Sequence, residues 1–280
     1  MTHPQKYLLK SSFLSMAIGL GAVNEAALAQ STPIAVDPID EIITYDERAP
    51  IAADLPLSIS TLSQETLIDI AAIHPAESLN SVAGVNIQRG SGQEHLTAIR
   101  SPVLTGGAGA GSFLYLEDGV PLRAAGFANV NGLFEGLTET AAALEVVKGP
   151  GPVLYGSNAV HGLVNIVNPN VSGPNRFQLI GSDDGLAALR LSAATGPVRA
   201  TVSLTHDNGF REDSGLDQQK LGLRYEGGFG AWDLTAQLSV QNLNQETAGF
   251  VQGDAAFADE ELASQNAFPE AFRDLSLIHI

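Results

Sequence analysis

The chain has 280 residues, with 14 lysines and arginines against 31 aspartates and glutamates, a net charge of −17, and no cysteine. That balance excludes a nucleic-acid binder, which needs a basic face toward phosphates. The missing cysteines exclude disulfides and thiolate metal sites.

Residues 1–29 place Lys6 and Lys10 before an uncharged stretch and Ala27-Leu28-Ala29 before Gln30. This basic, apolar, small-x-small order is that of a secretory signal peptide, with cleavage expected after Ala29. Its apolar run is shorter than the ~20 residues a spanning helix needs. Residues 30–49 open polar and proline-punctuated, the composition of a disordered segment. Within them Glu41, Ile42, Ile43, Thr44 and Tyr45 form a β-branched island that can offer its backbone to a partner's sheet edge, or else serve as a first strand.

Residues 50–170 alternate helical and strand patterns. Helices are predicted at 65–70 and 75–82, the second opening on Pro75, which suits a first helical turn. Strands are predicted at 85–88, 98–100, 113–117, 143–148 and 163–167. The glycine-rich run 106–111 has no following Lys-Ser/Thr, so it reads as a turn rather than a phosphate cradle.

Residues 171–274 change to strict alternation. Trp232, Leu234, Ala236, Leu238 and Val240 share one face, and Asp233, Thr235, Gln237, Ser239 and Gln241 the other. Val198, Ala200, Val202 and Leu204 repeat this against Arg199, Thr201, Ser203 and Thr205, with weaker copies at 176–182, 186–195 and 218–225. Asp183-Asp184-Gly185, Gly196-Pro197 and Gly227-Gly228 are the expected turns. Period-two strands of about ten residues suit a transmembrane β-barrel, but the same pattern fits a soluble sandwich with its apolar face inward. The last six residues, Leu275-Ser276-Leu277-Ile278-His279-Ile280, match the translation of a sequencing-transposon adapter, and 275–280 is expected to be an appended tail.

Between the strands at 144–148 and 163–167 lies a knot of Gly149-Pro150-Gly151-Pro152 and Tyr155-Gly156-Ser157-Asn158. This order resembles the signature that ends the plug domain of TonB-dependent outer-membrane receptors. Upstream, Phe113-Leu114-Tyr115-Leu116-Glu117-Asp118-Gly119-Val120-Pro121 resembles the strand and Asp-Gly turn preceding it. The stretches 57–62, 76–82, 83–87 and 99–101 resemble earlier plug elements in the same order, so the likeness covers roughly 42–168. Lys148 stands where the family usually has arginine, and Ser101 where it usually has glycine.

The resemblance implies an α+β plug domain followed by the first antiparallel strands of a transmembrane β-barrel. Such barrels close with about 22 strands, and closure is obligatory in lipid, so the five legible strands imply a fragment. It further implies active import across the outer membrane of a Gram-negative bacterium, with the plug facing the barrel lumen and periplasm. The ligand class it points to first is an iron–siderophore complex; cobalamin, haem and oligosaccharides are the other family ligands. Residues 41–45 resemble the TonB box, through which TonB would pair, and the interval from leader to box is too short for another folded domain.

Plug residues resembling Arg100 and Lys148 face glutamates on the barrel wall, with Glu145 nearby. Ligand contacts are expected at the plug apex, from Arg89, Gln93, Arg123, Phe127, Asn129 and Phe134, whose guanidinium, amide and ring groups suit an anionic or aromatic chelate. No catalytic constellation is present, the six histidines have no metal-ligand spacing, and neither an enzyme activity nor a cofactor is expected. The rival reading is a non-transporting periplasmic plug-like binding or structural module.

Overall fold

The computed structural model describes residues 58–101, 113–124, 132–151, 155–249, 251, 253 and 255–280. The leader, the 30–49 segment with Glu41 to Tyr45, the glycine run 106–111, Phe127 and Asn129 lie outside the described residues.

The first described part is built on a five-stranded sheet. Its strands are β1 (Ser58–Ser63), β4 (Phe113–Glu117), β5 (Val120–Pro121), β6 (Ala143–Lys148) and β7 (Gly162–Val167), ordered β1-β6-β7-β4-β5. β4 and β7 run parallel, while the other neighbours are antiparallel. Every residue of β4 and β7 is buried, as expected of strands covered on both faces. One face carries Phe113, Tyr115, Leu144, Val146, Val164 and Ile166, which pack with Leu79, Val82, Ile87 and Ile99.

Leu67 of α1 (Gln64–Ile70) joins them, and the others come from α2 (Pro75–Leu79), the turn after it, and a hairpin of β2 (Val85–Arg89) and β3 (His95–Ile99). Ser63 caps α1, its hydroxyl accepting from Thr66 N–H, and α1 ends at Ala71 in the left-handed conformation. Helix α2 begins with Pro75 in its first turn and stops three residues before the predicted Val82. The reason is Asn80, whose amide turns away to accept from Ile87 N–H at 2.6 Å and donate to Ile87 O at 3.1 Å, pairing with β2 as a backbone would. Strand β3 is shifted from the predicted 98–100 because Arg100 takes a positive φ of 50° and terminates it.

The second part is a six-stranded antiparallel meander of β8 (Arg176–Gly181), β9 (Ala187–Thr195), β10 (Val198–Asp207), β11 (Leu216–Phe229), β12 (Trp232–Glu246) and β13 (Phe272–His279). Gly227 and Gly228 are not the turn: they pair with Leu234 and Asp233, and the chain reverses at Gly230-Ala231, where Gly230 has φ +66°. The expectation of five strands is corrected to six, since β13 pairs with β12 from Glu246↔Phe272 to Ser239↔His279 and takes in most of the terminal six residues. The connections at 196–197 and 230–231 are tight, whereas 182–186, 208–215 and 247–271 at the opposite end are longer.

This sheet is inverted relative to a soluble one. Arg190, Ser192, Arg199, Thr201, Ser203, Thr205, Gln218, Lys220, Ser239 and Gln241 are buried against the plug side, while Phe177, Leu179, Leu234 and Trp232 are exposed. A sandwich would turn the apolar row inward; here it faces out and the polar row covers a folded domain. Among the described residues no helix is long and apolar enough to cross a membrane.

Candidate functional site

The inverted sheet positions its polar row along one side of the plug, and the contacts run the length of the strands. Toward the longer loops, Gln245 Oε1 accepts the backbone N–H of Gln93 at 2.9 Å, and Arg273 pairs with Glu94 at 2.6 Å. The β2–β3 turn that makes these contacts needs glycine at Gly92: its φ is +56°, and a Cβ there would lie 2.5 Å from Gln245 Oε1. Midway, Lys220 Nζ donates to Gly136 O at 2.7 Å and to both oxygens of Glu139 at 2.8 and 3.0 Å. Beside it Gly222 lets the plug approach, since a Cβ would meet Leu137 Cδ1 at 2.6 Å.

Toward the tight turns sits a denser network. Asp118 Oδ2 accepts from Arg224 at 3.0 Å and from Asn168 Nδ2 at 3.1 Å, and its Oδ1 accepts Asn168 N–H at 2.8 Å. Glu117 Oε1 accepts from Asn168 Nδ2 at 2.8 Å and Gln237 Nε2 at 3.3 Å, with Ser239 Oγ 3.3 Å from Oε2. Arg224 is also held by Glu226, whose other oxygen accepts Val171 N–H at 3.2 Å. Burial pushes the Glu117 carboxyl up to about 7, with Asp118 adding to the shift and the Asn168 hydrogen bond opposing it.

The described apex residues are held in different ways. Arg89 is exposed and pairs with Glu77 at 3.0 Å. Arg123 forks onto Glu135, its Nε donating to both carboxylate oxygens at 2.9 and 3.0 Å. Gln93 and Phe134 are corrected in position: both are buried, at 0% and 1% exposure. Gln93 Nε2 donates to Ile73 O, and the Phe134 ring meets the His95 ring edge-on at 6.3 Å. An apolar ring and an amide with interior partners are held by packing, which position in the chain alone did not reveal.

Arg100, Glu145 and Lys148 bond inside the plug. Arg100 donates to Ser58 Oγ at 3.0 Å, Lys148 to Ser60 Oγ at 2.8 Å and Ala83 O at 3.4 Å, and Glu145 accepts from Asn165 Nδ2 at 3.0 Å. Contacts that join plug to sheet among the described residues, such as those of Glu94, Glu117, Asp118, Glu139 and the Gln93 backbone, were not named from the sequence. Asp118 was visible there only as half of a turn; a charged pair immediately after an apolar strand was the available signal.

Beneath the β2–β3 turn two histidines are buried side by side, with ring centroids 5.6 Å apart. His74 Nδ1 accepts Ala76 N–H at 3.0 Å, so the neutral ring carries its proton on Nε2 and has no lone pair left for a metal. His95 Nδ1 lies 3.0 Å from Gln93 O and donates to it. Burial lowers His74 to about 3, with His95 beside it contributing, and lowers His95 to about 4. Among the described residues no group of three or more His, Cys, Asp or Glu could hold a metal ion.

The family model of the TonB-dependent receptor plug domain matches residues 52–163. This segment is a TonB-dependent receptor plug. The vitamin B12 transporter BtuB of Vibrio vulnificus (strain CMCP6) is 28% identical over 214 residues, covering 74% of this chain and 33% of that protein. The chain therefore spans about a third of that relative's length. Among solved structures, P. aeruginosa FpvA bound to a heterologous pyoverdine matches 72% of this chain and 28% of its own, at 16% identity and TM-score 0.56. The ferric yersiniabactin uptake receptor FyuA of Yersinia pestis matches 79% of this chain and 36% of its own, at 15% identity and TM-score 0.51. At these identities the structures speak to fold, and they share the arrangement of a plug followed by antiparallel strands.

Proposed function

We propose that the chain is the plug and opening barrel strands of an outer-membrane importer driven by TonB. The observation that carries this reading is the inverted sheet: polar residues buried against the plug and apolar residues outward, as a wall between lumen and lipid requires. In bacterial barrels the short turns face the periplasm and the longer loops the outside. By that rule Gly196-Pro197 and Gly230-Ala231 lie at the periplasmic end, and the β2–β3 turn with Arg89 lies toward the exterior.

The ligand is a small anionic or aromatic chelate, with an iron–siderophore complex the first choice; cobalamin is supported by the BtuB relative, and haem and oligosaccharides are the remaining family classes. Arg89 and Arg123 are the described cations proposed to meet the ligand, and Phe127 and Asn129 complete the proposed contacts. TonB would engage Glu41, Ile42, Ile43, Thr44 and Tyr45 by strand pairing, which asks only for an extended backbone.

The test is radiolabelled-ligand uptake in cells expressing the receptor from its own reading frame, with and without TonB. Deleting 41–45 should abolish uptake and leave surface binding intact. Uptake that is indifferent both to TonB and to the deletion would refute the reading.

A further inference from the structure

Glu117 closes β4 with its carboxyl between plug and sheet, 2% exposed. Its hydrogen-bond partners are all neutral: Asn168, Gln237 and Ser239. The charged groups facing this region are Asp118, Glu139, Arg123 and Glu135 from the plug and Lys220, Arg224 and Glu226 from the sheet. Each cation is already matched, Arg123 by Glu135, Lys220 by Glu139 and Arg224 by Asp118 and Glu226. Glu117 is thus the carboxyl of the network left with neutral donors, next to another carboxylate.

A serine hydroxyl can accept or donate. With Glu117 ionised, Ser239 donates to Oε2; with Glu117 protonated, Oε2–H donates to Ser239 Oγ while Oε1 keeps Asn168 and Gln237. The network is complete in both forms, but the ionised one buries a further negative charge beside Asp118.

We propose that Glu117 is a proton-operated latch holding the Asp-Gly turn of the plug against β11 and β12. With its proton the turn is clamped; when the proton leaves to solvent, repulsion from Asp118 and the cost of the buried charge loosen the turn from Gln237 and Ser239. The latch rests on the importer reading, in which the plug shifts within a barrel wall. Burial sets the transition near neutrality, about 7.

The chain has no cysteine, so spin labels can be placed at Val120→Cys and Ala231→Cys without background. Their separation is measured by pulsed electron resonance in the purified receptor at pH about 5.5 and about 8.5, on either side of the transition. The wild-type network should give a narrow distribution at the lower pH and a broader, longer one at the higher. Glu117→Gln should stay narrow at both, because its amide accepts from Asn168 and Gln237 and donates to Ser239. Asp118→Asn, which removes the neighbouring charge, should move the transition to lower pH. Identical wild-type distributions at both pH values would overturn the latch, as would a Glu117→Gln receptor that broadens like wild type or an Asp118→Asn transition that does not move. A receptor that shows the transition but never imports sinks the importer reading alone.

Discussion

Lys220 and Glu139 join sheet to plug through a fully buried ion pair, with side chains 1% and 3% exposed and Nζ 2.8 and 3.0 Å from the two carboxylate oxygens. Breaking such a pair strands a charge, whereas replacing both ends with apolar groups of similar volume does not. Lys220→Met should therefore destabilise by about 3–5 kcal/mol, and the double variant Lys220→Met, Glu139→Leu should recover most of that loss. Denaturant titration of the two variants checks this, and a double variant as weak as the single would contradict it.

Arg89 and Arg123 should separate under mutation. Arg89 is half in solvent, and an exposed ion pair contributes about 0–1 kcal/mol, so Arg89→Ala should lower ligand affinity with little change in melting temperature. Arg123 forks onto Glu135, whose side chain is only 8% exposed. Arg123→Ala leaves that carboxylate without its guanidinium and should cost about 1–3 kcal/mol of stability as well as affinity. Melting curves beside binding isotherms distinguish the two, and equal melting temperatures would refute the distinction.

Acid should weaken the plug through His74 and His95. In the unfolded chain each ring takes a proton near pH 6.5, but folded His95 stays neutral to about 4 and His74 to about 3. Protons are then taken up on unfolding, so stability is fully present above about 6.5 and falls as pH drops toward 4. His95→Gln should flatten that slope, as read by melting temperature against pH; an unchanged slope would count against it.

Gly92→Ala should loosen the β2–β3 turn. The left-handed φ alone costs an L-residue about 1–2 kcal/mol, and the new methyl also meets Gln245. Gln245→Ala should relieve the contact but not the backbone strain, and it also removes the acceptor of the Gln93 N–H, so partial rescue is read at Glu94, whose N–H donates to Ser91 O. Amide exchange at Gln93 and Glu94 reports the effect, and unaltered protection would argue against it.

The fold was largely legible because alternation and turn residues are local. Trp232 to Gln241 alternate without interruption, and Phe113–Glu117 and Ala143–Lys148 are uniform strands. What the pattern left open was which face points inward, since periodicity has no sign; burial of Arg190, Lys220 and Gln241 supplied it. The site was less legible. Gln93 meets Gln245 across 152 positions and Glu117 meets Ser239 across 122. No local pattern carries such separations. Arg100 and Lys148 stand out through the family resemblance, and among the described residues they bond to serines of β1, Lys148 also to Ala83 O.

That last arrangement has a mechanical meaning. β1 is the outer strand of the five-stranded sheet, paired with β6 from Ser58↔Lys148 to Ser63↔Ala143. Tension arriving from the residues before Ser58, pulling away from β6, opens this ladder one rung at a time from the Ser58 end rather than shearing six residues together. The first rungs are those stapled by Arg100 on Ser58 and Lys148 on Ser60. These two side chains therefore add their hydrogen bonds to the end of the ladder where such tension would enter, and resist the first step of its opening.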